Sequence, residues 1–89
     1  NFPNPFSKET QFTFELTKDA KVSISIYTIS GRKVKSIIDR DQKVGFNRIL
    51  WNGRDEYGNL LANGVYLYKI KAEINNQKIN HIGRLAIYR

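Results

Sequence analysis

Apolar and polar side chains alternate along most of this chain with a period of two residues, which is typical of half-buried β-strands rather than helices. The alternation is clearest in QFTFEL at positions 11–16 and in KVSISIYTI at positions 21–29. The apolar face of these two stretches consists of Phe12, Phe14, Leu16, Val22, Ile24 and Ile26. Because successive side chains of a strand point to opposite sides, the pattern predicts two strands that each cover one side of a core.

Turn-forming residues separate these stretches from the next ones. TKDA predicts a first turn, and SGRK at positions 30–33 supplies Gly31 for a tight hairpin before a third strand, KVKSII. The polar run DRDQK at positions 39–43 is predicted to be a connection. Gly45 then opens FNRILW, in which Ile49 and Trp51 share one face, so Trp51 is the expected core anchor between two sheets.

The second half of the chain predicts one long loop and one long hairpin. NGRDEYGNLLANG at positions 52–64 has three glycines and three asparagines, which are too many turn formers for a strand. The strand VYLYKIKA, a turn at Asn75 and Asn76, and a closing strand around KINHIGRLAIYR follow the loop. About six or seven short strands without a convincing helix predict an all-β fold, an antiparallel β-sandwich of two facing sheets.

Composition limits the chain to one small domain. Its 89 residues are 40% hydrophobic and 26% charged, as in ordinary globular domains. No run approaches the roughly 20 apolar residues of a transmembrane segment. No secretory signal peptide stands at the start, so an export signal would lie on a missing upstream part. The absence of cysteine excludes disulfides and thiolate metal sites, but it leaves the compartment open.

The formal net charge of +7 raises nucleic acid and anionic lipid as partners. The charge is spread over both halves of the chain, and no helix-turn-helix pattern, zinc-finger spacing or aromatic RNA-binding motif accompanies it. We therefore expect the basic residues to lie on solvated strand faces, and we expect no nucleic-acid binding.

Few residues indicate chemistry. His81 stands in the last predicted strand without a second histidine or a cysteine, which argues against a metal site. Asp55 and Glu56 are neighbours in sequence, and neighbours do not place two acids across a glycosidic bond. We expect no catalysis and no cofactor.

The loop around Asp55 leaves three interpretations open. Asp55, Asn59 and loop carbonyls could hold a calcium ion, although the loop lacks the spacing of an EF-hand. An exposed tyrosine such as Tyr57 could stack on a sugar, as in a carbohydrate-binding module. The structural alternative is a turn from Asp55 to Gly58, in which the carboxylate caps backbone amides and the glycine takes a positive φ.

Four stretches in order resemble a known family: NFPNPF, ISGRKVKSI, WNGRDEYGNLLANGVYLYKIKA and GRLAIYR. Together they resemble the C-terminal sorting domains of the type IX secretion system, and they are similar to the immunoglobulin-like domain of flagellar hook-capping proteins. The resemblance covers essentially the whole chain. It implies an immunoglobulin-like β-sandwich of about seven strands.

The resemblance also implies a function. Such domains stand at the C-terminus of large exported proteins of Gram-negative bacteria and have no catalytic role. Residues 1–89 would then be a single sorting domain that follows a cargo domain in the same chain. Its partners would be the outer-membrane secretion translocon and a surface sorting peptidase, and the cargo would be secreted or attached at the cell surface after passing through the periplasm.

The motifs of the family carry over to named positions. The N-terminal motif falls on Pro3, Asn4, Pro5 and Phe6, and the prolines predict an extended, stiff segment from which Phe2 and Phe6 pack against the sandwich. The implied recognition residues are Gly64 and Tyr66 of a G-x-Y element and, in the terminal strand, Arg84, Leu85, Ile87 and Arg89. One departure is visible: Gly83 stands where the family often has the first of two consecutive basic residues.

Other functions fit the same residues. The chain could be a structural immunoglobulin-like spacer or a hook-cap-type assembly module, or a carbohydrate-binding module of an exported hydrolase. A sorting domain requires Arg89 to be the natural last residue, whereas a spacer can have sequence after it.

The terminal strand has a physical role in the sorting-domain hypothesis. If it lies at a sheet edge, a partner can bind it by adding a strand to the sheet, and the basic side chains would set the register of that strand.

Overall fold

The computed structural model describes residues 8–89, except for the side chain of Asp39. The predicted N-terminal motif and the packing predicted for Phe2 and Phe6 lie outside the described residues. Six strands occur in residues 8–89: β1 (Thr10–Leu16), β2 (Ala20–Tyr27), β3 (Lys33–Gln42), β4 (Gly45–Trp51), β5 (Gly64–Ile74) and β6 (Gln77–Ile87). A helix long and apolar enough to cross a membrane is absent from this part of the chain.

The strands form two antiparallel sheets. β1 pairs with β4 in a two-stranded sheet, and the larger sheet has the order β3-β2-β5-β6. Since β2 and β5 are the inner strands of the larger sheet, β3 and β6 are its edges. The arrangement confirms the predicted all-β, antiparallel β-sandwich.

The core lies between the two sheets and is built from the predicted apolar faces. The side chains of Val22, Ile24 and Ile26 on β2 are fully buried, and they cluster with Phe12 of β1. Trp51, at the end of β4, is only 3% exposed and belongs to the same cluster. Burial of each large side chain of this kind stabilises the fold by about 1.5–3 kcal/mol, so this cluster is the main favourable contribution to folding.

The prediction that residues 39–43 form a connection was wrong for most of that run. β3 continues through Gln42, and its last residues pair with the start of β2 at Ala20 and Lys21. An edge strand can carry polar side chains because its backbone pairing, and not burial on both faces, holds it in the sheet. The connection to β4 is therefore short, and the backbone N–H of Val44 donates to Asp19 Oδ1 at 2.8 Å within it.

The predicted hairpin turns are confirmed. β2 and β3 are joined through a turn in which Gly31 has a φ of 97°. β5 and β6 are joined at Asn75 and Asn76, with φ values of 50° and 67°. Asparagine tolerates this left-handed conformation better than most residues, which explains why two of them can make a tight turn between long strands.

Candidate functional site

The recognition residues implied by the sequence lie together at one end of the larger sheet. Gly64 at the start of β5 is the register partner of Ile87 at the end of β6, and Tyr66 is the partner of Leu85. The G-x-Y element and the terminal strand are thus one piece of antiparallel sheet. The structure brings together two motifs that are about 20 residues apart in the sequence.

These residues divide into buried and accessible groups. Leu85 and Ile87 are 0% and 2% exposed and belong to the core, as does Tyr66. Arg84 and Tyr88 are exposed. A partner of the folded domain can therefore reach the side chains of Arg84 and Tyr88, whereas Leu85 and Ile87 act by holding the strand in the sandwich.

The end of the chain is fastened to the loop between β4 and β5. The backbone N–H of Arg89 donates to Asn63 Oδ1 at 3.0 Å, and Asn63 Nδ2 donates to the Arg89 carbonyl at 3.2 Å. The Arg89 guanidinium donates to the carbonyl of Leu61 through Nη1 and to the carbonyl of Gly53 through Nη2, the latter at 3.4 Å. The terminal arginine thus acts as a tie between strand β6 and the loop.

The loop has an internal framework that holds these carbonyls in place. Asp55 Oδ1 accepts hydrogen bonds from the backbone N–H groups of Tyr57 and Asn59, both at 2.9 Å. Gly58 has a φ of 83°, and its N–H donates to the Asp55 carbonyl at 3.1 Å. This is the capped turn predicted from the sequence as the structural alternative to a calcium loop.

Two further contacts connect the loop to the core and to β3. The indole N–H of Trp51 donates to the Arg54 carbonyl at 3.1 Å, so the core anchor also positions the loop. Glu56 accepts a hydrogen bond from the Ser36 backbone N–H at 3.1 Å and lies 3.4 Å from the Lys35 ammonium. The Ser36 hydrogen bond and, to a lesser extent, the nearby Lys35 charge lower the pKa of the Glu56 carboxyl.

Tyr66 joins the strand pair to the same loop. Its hydroxyl donates to the Ala62 carbonyl at 2.7 Å, and its ring lies in the core. Burial raises the pKa of Tyr66, an effect that the nearby Arg89 charge partly opposes. The tyrosine of the G-x-Y element is thus a buried support of the loop.

Gly83 is explained by a close cross-strand contact. Its register partner is Tyr68, and a Cβ atom at position 83 would lie 2.5 Å from Cζ of that ring. The ring of Tyr68 lies over the glycine and contacts Phe12 of the other sheet, with ring centroids 5.2 Å apart. A basic residue, which the family resemblance would have favoured here, cannot occupy this position without displacing the ring.

β6 is a regular, open edge. Its 11 residues pair with β5 without a register shift, whereas β3, at the opposite edge, has two shifts in its pairing with β2. Within residues 8–89, no strand pairs with the outer side of β6. Bulges and irregular edges resist the addition of another strand, so β6 is the better acceptor of the two edges of the larger sheet.

The remaining candidate residues lie apart from this site or in its loop. His81 is on β6 with its ring 5.9 Å from that of Tyr68. Tyr57, at the tip of the loop, is 90% exposed. Among the described residues, no group of three or more histidine, aspartate or glutamate side chains is arranged to hold a metal ion.

The sequence did not indicate that the loop holds the end of the chain. Asn63 and Leu61 meet Arg89 only in the folded state, across 26 and 28 positions. The density of glycine and asparagine in the loop was the available signal, and it predicts irregular backbone without indicating what that backbone binds.

A family model described as the FlgD Ig-like domain matches residues 3–76 of this chain, which confirms the predicted immunoglobulin-like fold. No curated protein matches the chain.

Solved structures share this fold. FlgD from P. aeruginosa aligns with a TM-score of 0.73 and 22% identity, over 88% of this chain and 61% of its own length. Dimeric latent PorU from Porphyromonas gingivalis aligns with a TM-score of 0.80 and 24% identity, over 97% of this chain and 9% of its own. At these identities the likeness shows the fold alone, and this chain spans less than two thirds of either protein.

A third structure is PorZ, an essential bacterial surface component of the type-IX secretion system of Porphyromonas gingivalis. It aligns over 79% of this chain and 8% of its own, with 26% identity and a TM-score of 0.48, which is too low to indicate a common fold.

Proposed function

The chain belongs to the FlgD Ig-like domain family, and on that premise we propose that it is a non-catalytic recognition module of a larger exported protein. Its specific role in this proposal is that of a C-terminal sorting domain. It directs a cargo in the same chain across the outer membrane of a Gram-negative bacterium by the type IX secretion system, for release or attachment at the cell surface. The outer-membrane translocon and a surface sorting peptidase are its proposed partners.

The position of β6 is the observation that carries this proposal. The strand combines an open, regular edge with an end that Arg89 ties to the loop. A partner strand that adds to this edge gains backbone hydrogen bonds along β6 and meets the exposed Arg84 side chain. The motif resemblance and the fold shared with PorU add support.

A reporter fusion in a bacterium that has the type IX system tests the proposal. A fluorescent cargo that is preceded by a secretory signal peptide and followed by this chain, with Arg89 as the last residue, is expected at the cell surface or in the medium. Deletion of residues 85–89 is expected to keep the cargo inside the cell. Full secretion of the deleted fusion would refute the proposal.

The deletion also removes core residues, so a substitution that preserves the core is needed beside it. Arg84→Glu changes an exposed side chain on β6 and is expected to lower secretion several-fold. Circular dichroism checks that the variant domain stays folded. Lys78→Glu, on the same strand and the same face, is the matched control and is expected to secrete normally. Equal secretion of both variants would remove the proposed role of the basic group.

A hook-cap-type assembly module is the second candidate, and the family match supports it equally. Such a module would contribute protein contacts without a secretion signal, and it tolerates sequence after Arg89. If this alternative is correct, the reporter fusion stays inside the cell. The domain then co-purifies with a flagellar hook-cap assembly.

A carbohydrate-binding module is the remaining alternative. It predicts that the domain binds a polysaccharide and that Tyr57→Ala loses this binding.

A further inference from the structure

The outer face of the four-stranded sheet, away from the core, is basic and rich in hydroxyl groups. Ser23 and Ser25 of β2 are the register partners of Lys71 and Lys69 of β5. These four residues line a shallow cavity of about 280 Å³, together with Ser36 of β3 and others. We call this surface the lysine-serine face.

At one end of this face, acidic residues lie opposite lysines. There, Lys21 is the register partner of both Asp41 and Glu73, and Glu73 is in turn the partner of Lys78. Opposite charges therefore alternate across the four strands in that row. Glu56 lies at the β3 edge, where it accepts a hydrogen bond from the Ser36 backbone N–H and lies 3.4 Å from the Lys35 ammonium.

The two central lysines have uncharged cross-strand partners, which are Ser25 and Ile82 for Lys69 and Ser23 and Asn80 for Lys71. Lys69 and Lys71 are half-buried, and within residues 8–89 neither has an ion-pair partner. They are two residues apart on one strand, so their Cα atoms are about 7 Å apart and both side chains leave the same face. Like charges at this spacing repel each other, and an anion between them relieves the repulsion.

We propose that the lysine-serine face binds an anionic polysaccharide. Its carboxylate, sulfate or phosphate groups pair with Lys69 and Lys71, and its hydroxyl groups hydrogen-bond to Ser23 and Ser25. The four residues that would contact the ligand lie on β2 and β5, apart from β4 and Arg89. The proposal therefore does not depend on which of the two candidate functions is correct.

The lining of the cavity favours a glycan over other polyanions. Ile38 is the single aliphatic residue in the lining, so the cavity lacks the apolar anchors on which protein partners depend. Its one aromatic residue, Tyr27, is half-buried and offers no exposed platform for stacked bases. An acidic polysaccharide carries hydroxyl and acidic groups side by side. The serine hydroxyls can hydrogen-bond to the former while the neighbouring lysines pair with the latter.

Calorimetric titration of the 89-residue chain with defined polymers tests this proposal. Heparin and alginate, which carry sulfate and carboxylate groups, are expected to bind, and neutral dextran is not. Binding is expected to weaken as salt is raised, because exposed ion pairs are screened. Absence of binding to both acidic polymers at low salt would overturn the proposal.

Two pairs of substitutions locate the site. Lys69→Glu with Lys71→Glu is expected to lower the affinity for alginate by at least about tenfold. Lys8→Glu with Lys18→Glu makes the same change in net charge away from the face and is expected to change the affinity less than about twofold. Equal losses in the two pairs would show that only net charge matters and would refute a defined site.

A third pair tests the polysaccharide assignment itself. Ser23→Ala with Ser25→Ala keeps every charge and is expected to weaken alginate binding several-fold, while leaving the weaker binding of polyglutamate unchanged. If polyglutamate or vesicles of anionic lipid bind more tightly than alginate at Lys69 and Lys71, the ligand class is wrong. Circular dichroism of each variant checks that the sheet is intact.

Discussion

At the scale of single residues, Gly83 shows how a departure from a family pattern can have a local structural cause. The missing side chain leaves space for the ring of Tyr68, which then reaches Phe12 of the other sheet. An aromatic ring over a cross-strand glycine protects the backbone there and joins the two sheets near the β6 edge. The glycine thus contributes to packing between sheets rather than to recognition.

Gly83→Ala is expected to lower the free energy of unfolding by about 1–3 kcal/mol, because the new methyl group must displace the Tyr68 ring. Denaturant titration measures this. In the Tyr68→Ala background, where the ring is absent, the same substitution is expected to cost much less. Equal costs in both backgrounds would contradict the proposed clash.

Tyr66→Phe removes the hydrogen bond to the Ala62 carbonyl and is expected to cost about 0.5–1.5 kcal/mol. The folded state raises the pKa of Tyr66 above 10.0, so the associated stability is present below that pH and is lost as the pH rises through the folded pKa. The free energy of unfolding, measured between about pH 9 and 11, should therefore decrease more steeply with pH for the wild type than for Tyr66→Phe. Tyr57→Phe, at an exposed position, should behave like the wild type.

At the scale of elements, the β4–β5 loop supports the terminal strand. Asp55 organises the loop backbone, Glu56 ties it to β3, and Asn63 ties it to Arg89. Loops usually pack less firmly than the strands they connect, but this one is held on three sides. The consequence for function is that the end of β6 is presented in one defined position.

Asn63→Ala removes both hydrogen bonds to the Arg89 backbone and is expected to loosen the end of β6. Amide hydrogen exchange at Tyr88 and Arg89 should become faster, with a cost in global stability of about 0.5–2 kcal/mol. Asn59→Ala is the matched control, since Asn59 contributes its backbone N–H to the loop framework. Unchanged exchange in Asn63→Ala would show that the guanidinium contacts alone hold the strand.

At the scale of the whole molecule, one core joins the two sheets. The buried residues of β1, β2, β4, β5 and β6 form a single cluster, and the chain has a radius of gyration of 13.1 Å. A domain of this size with one core is expected to unfold in a single cooperative transition. Strand β6 therefore cannot leave the sandwich without lowering the stability of the whole domain.

Ile24→Ala, at the centre of the larger sheet, tests this cooperativity. Ile24 is fully buried, so the substitution is expected to cost about 2–5 kcal/mol, a large part of a typical total stability. Trp51 fluorescence reports on the end of β4, and far-ultraviolet circular dichroism reports on all strands. Both transitions should shift together, and separate midpoints would contradict a single core.

The local pattern of the sequence determined which face of each strand is buried and where the hairpins turn. Alternation placed Val22 and Ile24 in the core, and Gly31 and the pair Asn75–Asn76 marked turns, because strand periodicity and turn conformation depend on near neighbours. The N-terminal motif and the family's recognition residues also came from the sequence, as implications of a resemblance. Their roles remain predictions.

Only the tertiary structure decided which strands lie at the edges and what the loop holds. β3 continues through Gln42 because β2 is beside it, Gly83 is required because Tyr68 lies across from it, and Arg89 meets Asn63 across 26 positions. Ser23 and Ser25 lie beside the central lysines because the sheet order sets β2 beside β5. These contacts join residues that are far apart in the chain, so no local pattern contains them, and packing and backbone pairing select them when the chain folds.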